Sequence, residues 1–422
     1  MSMIFRNTVV AGGVALAALL ASTASGSAHA QRALGGEFRV NTTTLGNQGS
    51  PAVASAADGG FVIVWESETA GGSLSDIYAQ RFAADGSPLG SEFRVNTRIV
   101  GRQTNAAVAM NASGEFVVAW NSATHLAAGN GVFAQRFAAD GSPLGSEFRV
   151  NNGERDIYAL VGVAINASGA VVIVWPERSK SLPVATNMVI GLIVAQRYDA
   201  AGAPLGDAIT VQSAPLNGLR VPGVGIDDSG GFVVAWNSDT QPGFITGTSS
   251  LGQFLGVFAR RYDANGRALG PAFQADVVTA GITVDRPVIA VAPDGSFALA
   301  WQTNGSDYAP RGIVLRRYDA NGVALAAPST VDAARLARKP ALSLNGAGQL
   351  VVAGHSDGLY LRRYDSDGNA TGAARHADGR STVNAILQPA VAIDAAGGIV
   401  AAWQVLGLDG SGRGVYARRF AP

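Results

Sequence analysis

Seven polar or ionisable residues stand at equivalent points in the chain, each just after a short apolar run. They are Glu66, Asn121, Glu177, Asn237, Gln302, His355 and Gln404. Carboxylates and amides arranged in a ring suit hydroxyl-rich ligands, because they supply several hydrogen-bond donors and acceptors at once. We expect these seven residues to surround the mouth of a central channel and to form a ligand-binding rim. The alternative is that they are polar only because a strand meets solvent there.

Carboxylates near the same positions could instead serve a hydrolase. Glycoside cleavage uses two carboxyl groups about 5–10 Å apart, and the candidates are Glu66, Glu177, Asp239 and Asp307. The sequence does not give their separation, and no Ser-His-Asp spacing or histidine cluster accompanies them. Catalytic residues therefore stay unassigned, and an extracellular, glycosidase-like hydrolase is the alternative to a binding protein.

The apolar runs that position these residues belong to a repeat that recurs seven times. Six runs end in the six tryptophans of the chain, and the seventh, Leu350–Gly354, ends in glycine. The tryptophans are Trp65, Trp120, Trp175, Trp236, Trp301 and Trp403. Each repeat contains a small-residue strand, the apolar strand, and two further strands joined by Gly-containing tight turns. Four antiparallel strands in a unit of about 50–60 residues are typical of a propeller blade.

The two chain ends predict how the ring closes. Glu37–Val40 has the pattern of a fourth strand, and Val415–Phe420 has the pattern of a third strand. The N-terminal strand can therefore complete the last blade and leave no unpaired edge there. The sequence predicts an all-β, seven-bladed β-propeller over residues 31–422, with four antiparallel strands in each blade.

Residues 1–30 have the features of a secretory signal peptide. Arg6 precedes an apolar core from Val9 to Leu20, and Ala28–Ala30 matches a cleavage site. The apolar stretch is shorter than the ~18 residues of a membrane span. Cysteine is absent, so there is no disulfide and no acceptor for a lipid anchor. We predict a periplasmic or extracellular protein without a membrane span.

The composition of the chain limits the classes of ligand that the protein is expected to bind. Lys plus Arg and Asp plus Glu are both 31, and no basic block is present that could follow a phosphate backbone, so we expect no nucleic acid. The segments Asp263–Gly266 and Asp365–Gly368 lack the distant glutamate of an EF-hand and are read as tight turns. We expect a monomer without cofactor or metal that binds a glycan or a protein.

Two other repeated residue types are interpreted as structural. The tryptophans are predicted to pack between blades, the alternative being a set of platforms for sugar rings. An arginine recurs in every third strand, and hairpin counting predicts cross-strand pairs of arginine with glutamate. The predicted pairs are Arg81 with Glu92, Arg136 with Glu147 and, across the ring closure, Arg419 with Glu37.

Length varies mainly in one loop of each repeat, between the second and third strands. From Trp236 to Arg261 the distance is 25 residues, whereas from Gly354 to Arg363 it is 9. These loops open on one face, and the tight turns lie on the other. Functional residues usually lie on such variable loops, although insertions there cost little and drift alone could produce them. We expect the ligand on the variable-loop face.

The motifs Tyr78–Phe82 and Glu92–Asn96 recur at Phe133–Phe137 and Glu147–Asn151. In these motifs the chain resembles secreted bacterial seven-bladed β-propellers built from Glu-Phe-Arg-Val-Asn and Tyr-Ala-Gln-Arg-Phe repeats. The resemblance covers essentially the whole mature chain. It implies an envelope or extracellular location and a role in binding or adhesion, and it supplies no catalytic residue. A structural envelope protein without a small-molecule site is a further hypothesis.

Overall fold

A computed structural model describes most of the chain after the predicted signal peptide, which lies outside it. The described residues are 32–68, 74–123, 130–152, 160–178, 190–215, 219–238, 256–277, 281–307, 309–332, 336–378, 387–408 and 410–422. Their strands form seven sheets of four antiparallel strands, arranged as the blades of a ring. The predicted seven-bladed propeller is confirmed. No helix in these ranges is long and apolar enough to cross a membrane.

The strands follow one another blade by blade, from the axis outward. Blade 1 contains β2 (Gln48–Ser55), β3 (Phe61–Glu68), β4 (Ser75–Phe82) and β5 (Phe93–Arg94). Blade 2 contains β6 (Arg102–Met110), β7 (Phe116–Ala123), β8 (Gly131–Phe137) and β9 (Phe148–Arg149). Blade 3 contains β10 (Gly162–Ile165), β11 (Val171–Arg178), β12 (Ile190–Tyr198) and β13 (Ile209–Pro215).

Blades 4 to 6 continue the same order. Blade 4 contains β14 (Leu219–Ile226), β15 (Phe232–Ser238), β16 (Gly256–Tyr262) and β17 (Phe273–Gln274). Blade 5 contains β18 (Ile282–Val291), β19 (Phe297–Gly305), β20 (Pro310–Tyr318) and β21 (Ser329–Thr330). Blade 6 contains β22 (Arg338–Leu344), β23 (Leu350–His355), β24 (Leu359–Tyr364) and β25 (Arg375–His376). Blade 7 contains β26 (Leu387–Ile393), β27 (Ile399–Leu406) and β28 (Arg413–Phe420), with β1 (Phe38–Arg39) as its outer strand.

The N-terminal strand closes the ring as predicted. Phe38 of β1 pairs with Ala417 of β28. Just beyond β1, the Val40 amide donates to the Val415 carbonyl at 2.8 Å, and the Val415 amide donates to Oδ1 of Asn41 at 2.8 Å. The first and last blades therefore share one sheet, and the outer edge of β28 is covered.

The hydrophobic core lies between blades. Val64 and Ile77 of blade 1, for example, pack against Phe116 and Trp120 of blade 2 in one cluster. All six tryptophans are no more than 2% exposed. Three of them stack on an aromatic residue of the adjacent third strand, at centroid distances of 6.2–6.5 Å. The predicted packing role is confirmed, and the alternative of exposed sugar platforms is wrong.

The predicted pairs of arginine with glutamate are wrong by one residue of register. Phe82 pairs with Pro88, but further along the hairpin Ala79 pairs with Phe93, so the chain bulges in between. The shift sets Gln80 rather than Arg81 opposite Glu92, and a one-residue shift moves a side chain to the other face. The same offset recurs at Arg136 and Glu147 and at Arg419 and Glu37.

Four members of those predicted pairs bind a neighbouring blade or the connection beside it instead: Arg81, Glu92, Arg136 and Glu147. Arg81 donates to the Ala139 and Asp140 carbonyls, in the tight turn of blade 2. Glu92 accepts from the Thr42 amide at 2.6 Å and from the Thr43 hydroxyl at 2.8 Å, in the connection that leads from blade 7 into blade 1. The arginines are structural, as predicted, but they join blades rather than strands within a blade.

Blade 6 lacks a tryptophan because its neighbours fill the space. A Cβ on Gly354 would lie 2.5 Å from Cδ1 of Ile313 and 3.1 Å from Cβ of Ala337. In blade 2, the residue that corresponds to Ala337 is Gln103, whose Oε1 accepts from Nε1 of Trp120 at 3.1 Å. Where blade 2 has the hydrogen-bonded pair Gln103 and Trp120, blade 6 has Ala337 and Gly354.

Gly354→Ala is expected to lower the free energy of unfolding by about 1–3 kcal/mol, because the added methyl group overpacks the seam. Adding Ile313→Val removes the offending Cδ1 and should recover part of that loss. Gly346→Ala is the control, since its Cβ would meet Pro293 at an ordinary 3.5 Å. Urea denaturation measures wild type, Gly354→Ala, Ile313→Val, the double variant and Gly346→Ala, and losses that simply add in the double variant would contradict the proposed clash.

Candidate functional site

A β-bulge recurs in the first strand of the blades, beside the predicted rim residues. In blade 1, Gly49 pairs with Glu66 and Ala52 with Val64, so Ser50 and Pro51 together stand opposite Trp65. The same register shift follows Thr104, Arg220, Asp285, Arg338 and Leu387. Proline is the second bulge residue in five blades, where its missing N–H leaves no ladder bond unmade.

The first residue of this bulge has an unusual backbone conformation. Within the described ranges, all non-glycine residues with positive φ are at this position, with φ between 51° and 59°. They are Ser50, Asn105, Arg286, Lys339 and Gln388. Positive φ costs about 1–2 kcal/mol for a residue other than glycine. The chain has 54 glycines, and the other positive-φ positions in the part that the structure describes are all glycine, so side chains are retained here against that cost.

Three predicted rim residues hold the bulge of the next blade through its backbone. The Ser50 amide donates to Oε1 of Gln404 at 2.8 Å, and the Asn105 amide donates to Oε1 of Glu66 at 2.7 Å. The Lys339 amide donates in the same way to Oε1 of Gln302 at 2.9 Å. The repeated carboxylate or amide therefore supplies an acceptor oxygen that fixes the bulge.

The other four predicted rim residues have individual surroundings. Asn121 and Asn237 are buried, and Nδ2 of Asn237 lies 3.4 Å from Oδ1 of Asp285 in blade 5. Glu177 is buried and accepts from its own blade's Trp175 Nε1 at 3.1 Å. His355 is half-buried, and burial, reinforced by nearby Arg338, lowers its pKa.

The bulges converge on a cavity of about 170 Å³ at the propeller axis. All five positive-φ residues line it, together with Leu160 of blade 3 and three of the bulge prolines. The cavity opens at the blade edge where the second strands end, which is also the edge of the variable loops. The predicted rim residues lie beside its wall, and the bulge residues form the wall itself.

Sequence reasoning missed the bulge residues, although a signal for them was present. Five first strands contain a proline ahead of the small residues at the axis. With the residues before them, these prolines are Ser50-Pro51, Val221-Pro222, Arg286-Pro287, Lys339-Pro340 and Gln388-Pro389. A proline at a fixed place in an otherwise regular strand indicates a bulge.

Charge is distributed unevenly around the cavity. Arg286 and Lys339 contribute cationic side chains from the adjacent blades 5 and 6. Burial lowers the pKa of Lys339, and Arg286, Arg338 and Arg413 lower it further. At blade 1 the carboxyl group of Glu66 hydrogen-bonds to the Ser50 hydroxyl and the Asn105 amide, and burial raises its pKa. One side of the opening is therefore basic, and the opposite side is mainly hydrogen-bonding.

The candidate hydrolase carboxylates that can be placed each have a different partner. Glu66 is engaged by the Asn105 amide, Glu177 by Trp175, and Asp307, which is exposed, by Arg311 at 3.5 Å. These three lie on different blades, and Asp239 lies outside the described residues. Each of the three acids that can be placed is thus engaged, by a backbone amide, an indole N–H or a guanidinium group.

Other predictions from sequence concern metals and loops. Asp263 and Asp365 each accept backbone amides within their own tight turns, as predicted. In the described ranges no group of three or more histidines and acids is arranged to hold a metal ion. The longer variable loops, including most of 176–189 and all of 241–255, lie outside those ranges, so their part in binding stays a prediction.

Comparison with known proteins shows the fold and no family. No family model matches the chain, and no curated protein matches it. An ulvan lyase of polysaccharide lyase family PL25, bound to -[GlcA(1-4)Rha3S]-, is similar with a TM-score of 0.52 and 10% identity over 90% of this chain and 95% of the lyase. An α-L-arabinanase of Penicillium chrysogenum complexed with arabinobiose gives 0.50 and 13% identity over 91% and 98%.

A third similar structure is Raptor of Chaetomium thermophilum, with a TM-score of 0.51 and 11% identity. The likeness covers 93% of this chain but only 29% of Raptor. At these identities the comparisons establish a β-propeller and carry no residue across.

Glu66→Gln is expected to preserve the bulge of blade 2, because Gln302 and Gln404 accept the equivalent bonds in other blades. Burial raises the pKa of Glu66 above its ordinary 4.5. Wild-type stability should therefore fall as pH rises from 4.5 to the raised pKa, a fall that the variant lacks. Above that window the variant should be at least as stable as wild type.

Glu66→Leu is the matched comparison, because it leaves the Asn105 amide without this acceptor and should cost about 1–3 kcal/mol. Urea denaturation of the three proteins from about pH 4 to about pH 7 measures both effects. Equal destabilisation by Gln and Leu would show that Glu66 does more than accept a backbone hydrogen bond.

Proposed function

We propose that the protein is a secreted or periplasmic binding protein that recognises a glycan at the axial cavity, on the face of the variable loops. The observation that carries this proposal is the set of five strained, non-glycine residues, all of which line one cavity. Backbone strain of this kind persists where the surrounding structure holds it, and it concentrates at functional sites. Glycine would satisfy the bulge at lower cost, so the side chains themselves are what is retained.

The chemistry of the cavity wall favours a sugar. The hydroxyl of Ser50 and the amides of Asn105 and Gln388 supply donors and acceptors that converge from three blades. Leu160 and the bulge prolines add apolar surface for the carbon face of a ring. At about 170 Å³ the cavity is smaller than the 300–1,000 Å³ typical of drug-sized ligands. We infer that it takes one sugar residue, such as the end of a chain.

The comparisons are compatible with this proposal. The ulvan lyase and the arabinanase, which are similar to this chain in fold, are both seen with a bound saccharide. The candidate hydrolase function gains no support from the carboxylates that can be placed. A protein partner is less well matched by the cavity, because protein interfaces are usually broad surfaces of about 800 Å² per partner.

Replacing single bulge residues with glycine tests the proposal. Ser50→Gly, Asn105→Gly and Gln388→Gly each remove a polar side chain and keep the positive φ and the backbone amide. Each is expected to lower affinity for the bound glycan about fivefold, which corresponds to one hydrogen bond of about 1 kcal/mol. Thermal stability should stay equal or rise because strain is relieved.

A glycan array with the mature chain identifies the ligand, and titration calorimetry then measures the variants. Val323→Ala, at an exposed residue on the tight-turn face, is the control and should leave affinity unchanged. Glycan binding that none of the three glycine variants weakens would place the site elsewhere. The absence of any bound glycan would refute the function.

A further inference from the structure

The charged residues of the cavity wall are both cationic and adjacent. The whole chain has equal numbers of acidic and basic residues, 31 of each. At the bulge, however, blades 5 and 6 place Arg286 and Lys339 side by side in the ring, whereas blades 1, 2 and 7 place Ser50, Asn105 and Gln388. The cavity wall is therefore positively charged on one side and uncharged on the other, an asymmetry that the sevenfold repeat alone would not produce.

Keeping two cations at these positions is unfavourable in three ways. Both residues have positive φ, which disfavours long side chains. Lys339 is partly removed from water, and burial lowers its pKa. Arg286, Arg338 and Arg413 are close enough to act on it with like charge. An arrangement that is costly without a ligand is explained if an anion offsets all the repulsion on binding.

The protein compensates this charge only in part. Oδ2 of Asp285 lies 3.7 Å from Nε of Arg286, while its Oδ1 accepts the Arg286 amide at 2.8 Å and is 3.4 Å from Nδ2 of Asn237. Asp285 thus fixes the bulge as well as partnering the guanidinium. Within the described ranges the ammonium of Lys339 has no carboxylate at ion-pair distance. Its charge is available to a ligand.

We infer that the axial cavity selects acidic sugars: Arg286 and Lys339 bind the carboxylate or sulfate group, and Ser50, Asn105 and Gln388 bind the hydroxyl groups of the same residue. This inference rests on the proposed function and narrows its ligand class. The guanidinium group of arginine binds a carboxylate or a sulfate through two parallel N–H donors, and the ammonium group of lysine adds a compact positive charge. Arg338, which is exposed beside Lys339, extends the positive region toward solvent.

The position of Glu66 agrees with this orientation. It belongs to blade 1, away from the two cations, and its pKa is raised by burial. A carboxylate on that side disfavours an anion there. The acidic group of the sugar is therefore directed toward blades 5 and 6, and its neutral edge toward blades 1 and 2.

Matched saccharide pairs test the inference on the intact mature chain. The probes are trigalacturonate against its neutral methyl ester, and a 6-sulfated galactose disaccharide against its unsulfated parent. Titration calorimetry should show each acidic member binding at least tenfold more tightly than its neutral partner. The preference should shrink when sodium chloride is raised from about 50 mM to about 300 mM, because salt screens exposed charges. The two pairs distinguish carboxylate from sulfate as the preferred group.

Lys339→Gln and Arg286→Gln should each reduce affinity for the acidic member about tenfold and leave the neutral member nearly unchanged. Arg267→Gln removes the same charge from the tight-turn face and is the control. Circular dichroism verifies that each variant is folded. Because two variants are made, the inference can still be tested if one of them does not fold.

Equal affinity for acidic and neutral members, or equal effects of Arg267→Gln and Lys339→Gln, would overturn the inference. If a neutral glycan binds and Gln388→Gly weakens it while the charge variants do not, the proposed function holds and the acidic selectivity fails. If no saccharide of either kind binds, both fail.

Discussion

No blade of this propeller can bury its own hydrophobic surface, and the rest of the structure follows from that constraint. A second strand such as Phe116–Trp120 is apolar on both sides because a neighbouring blade covers each face. The clusters accordingly combine residues from adjacent blades, including one that joins Trp65 of blade 1 to Val415 of blade 7. Closure by the N-terminal strand is therefore required for burial as well as for strand pairing.

Polar contacts repeat the same neighbour-to-neighbour pattern at both faces of the ring. On the tight-turn face an arginine such as Arg81 donates to carbonyls of the next blade. On the other face an acceptor such as Glu66 or Gln404 receives the bulge amide of the next blade. Glutamate and glutamine can alternate at this point because each offers an oxygen at the same reach. The repeat therefore conserves bond geometry more closely than residue type or charge.

The sequence predicted those features that depend on the pattern of side chains. Regularly spaced apolar runs and glycine turns gave the blades, and the unmatched Glu37–Val40 gave the closure. Features that depend on backbone register were not predicted. A bulge moved Glu92 by one residue relative to Arg81, and another turned Lys339 toward the axis. Three of the predicted rim residues bond to the cavity wall, namely Glu66, Gln302 and Gln404. The wall residues themselves were not predicted, because the sign of φ cannot be read from residue polarity.

A ring of similar blades needs a way to become asymmetric at its centre without weakening its seams. The bulge provides it, because at Ser50, Asn105 and Lys339 the backbone amide satisfies the neighbouring blade whatever the side chain. Serine, asparagine, arginine, lysine and glutamine all occupy the position while the bond or the register is kept. Tryptophan replacement at Gly354, by contrast, required matching changes such as Ala337. Substitutions at the seam are coupled to neighbouring side chains, whereas side chains at the bulge can vary while the backbone contacts are kept.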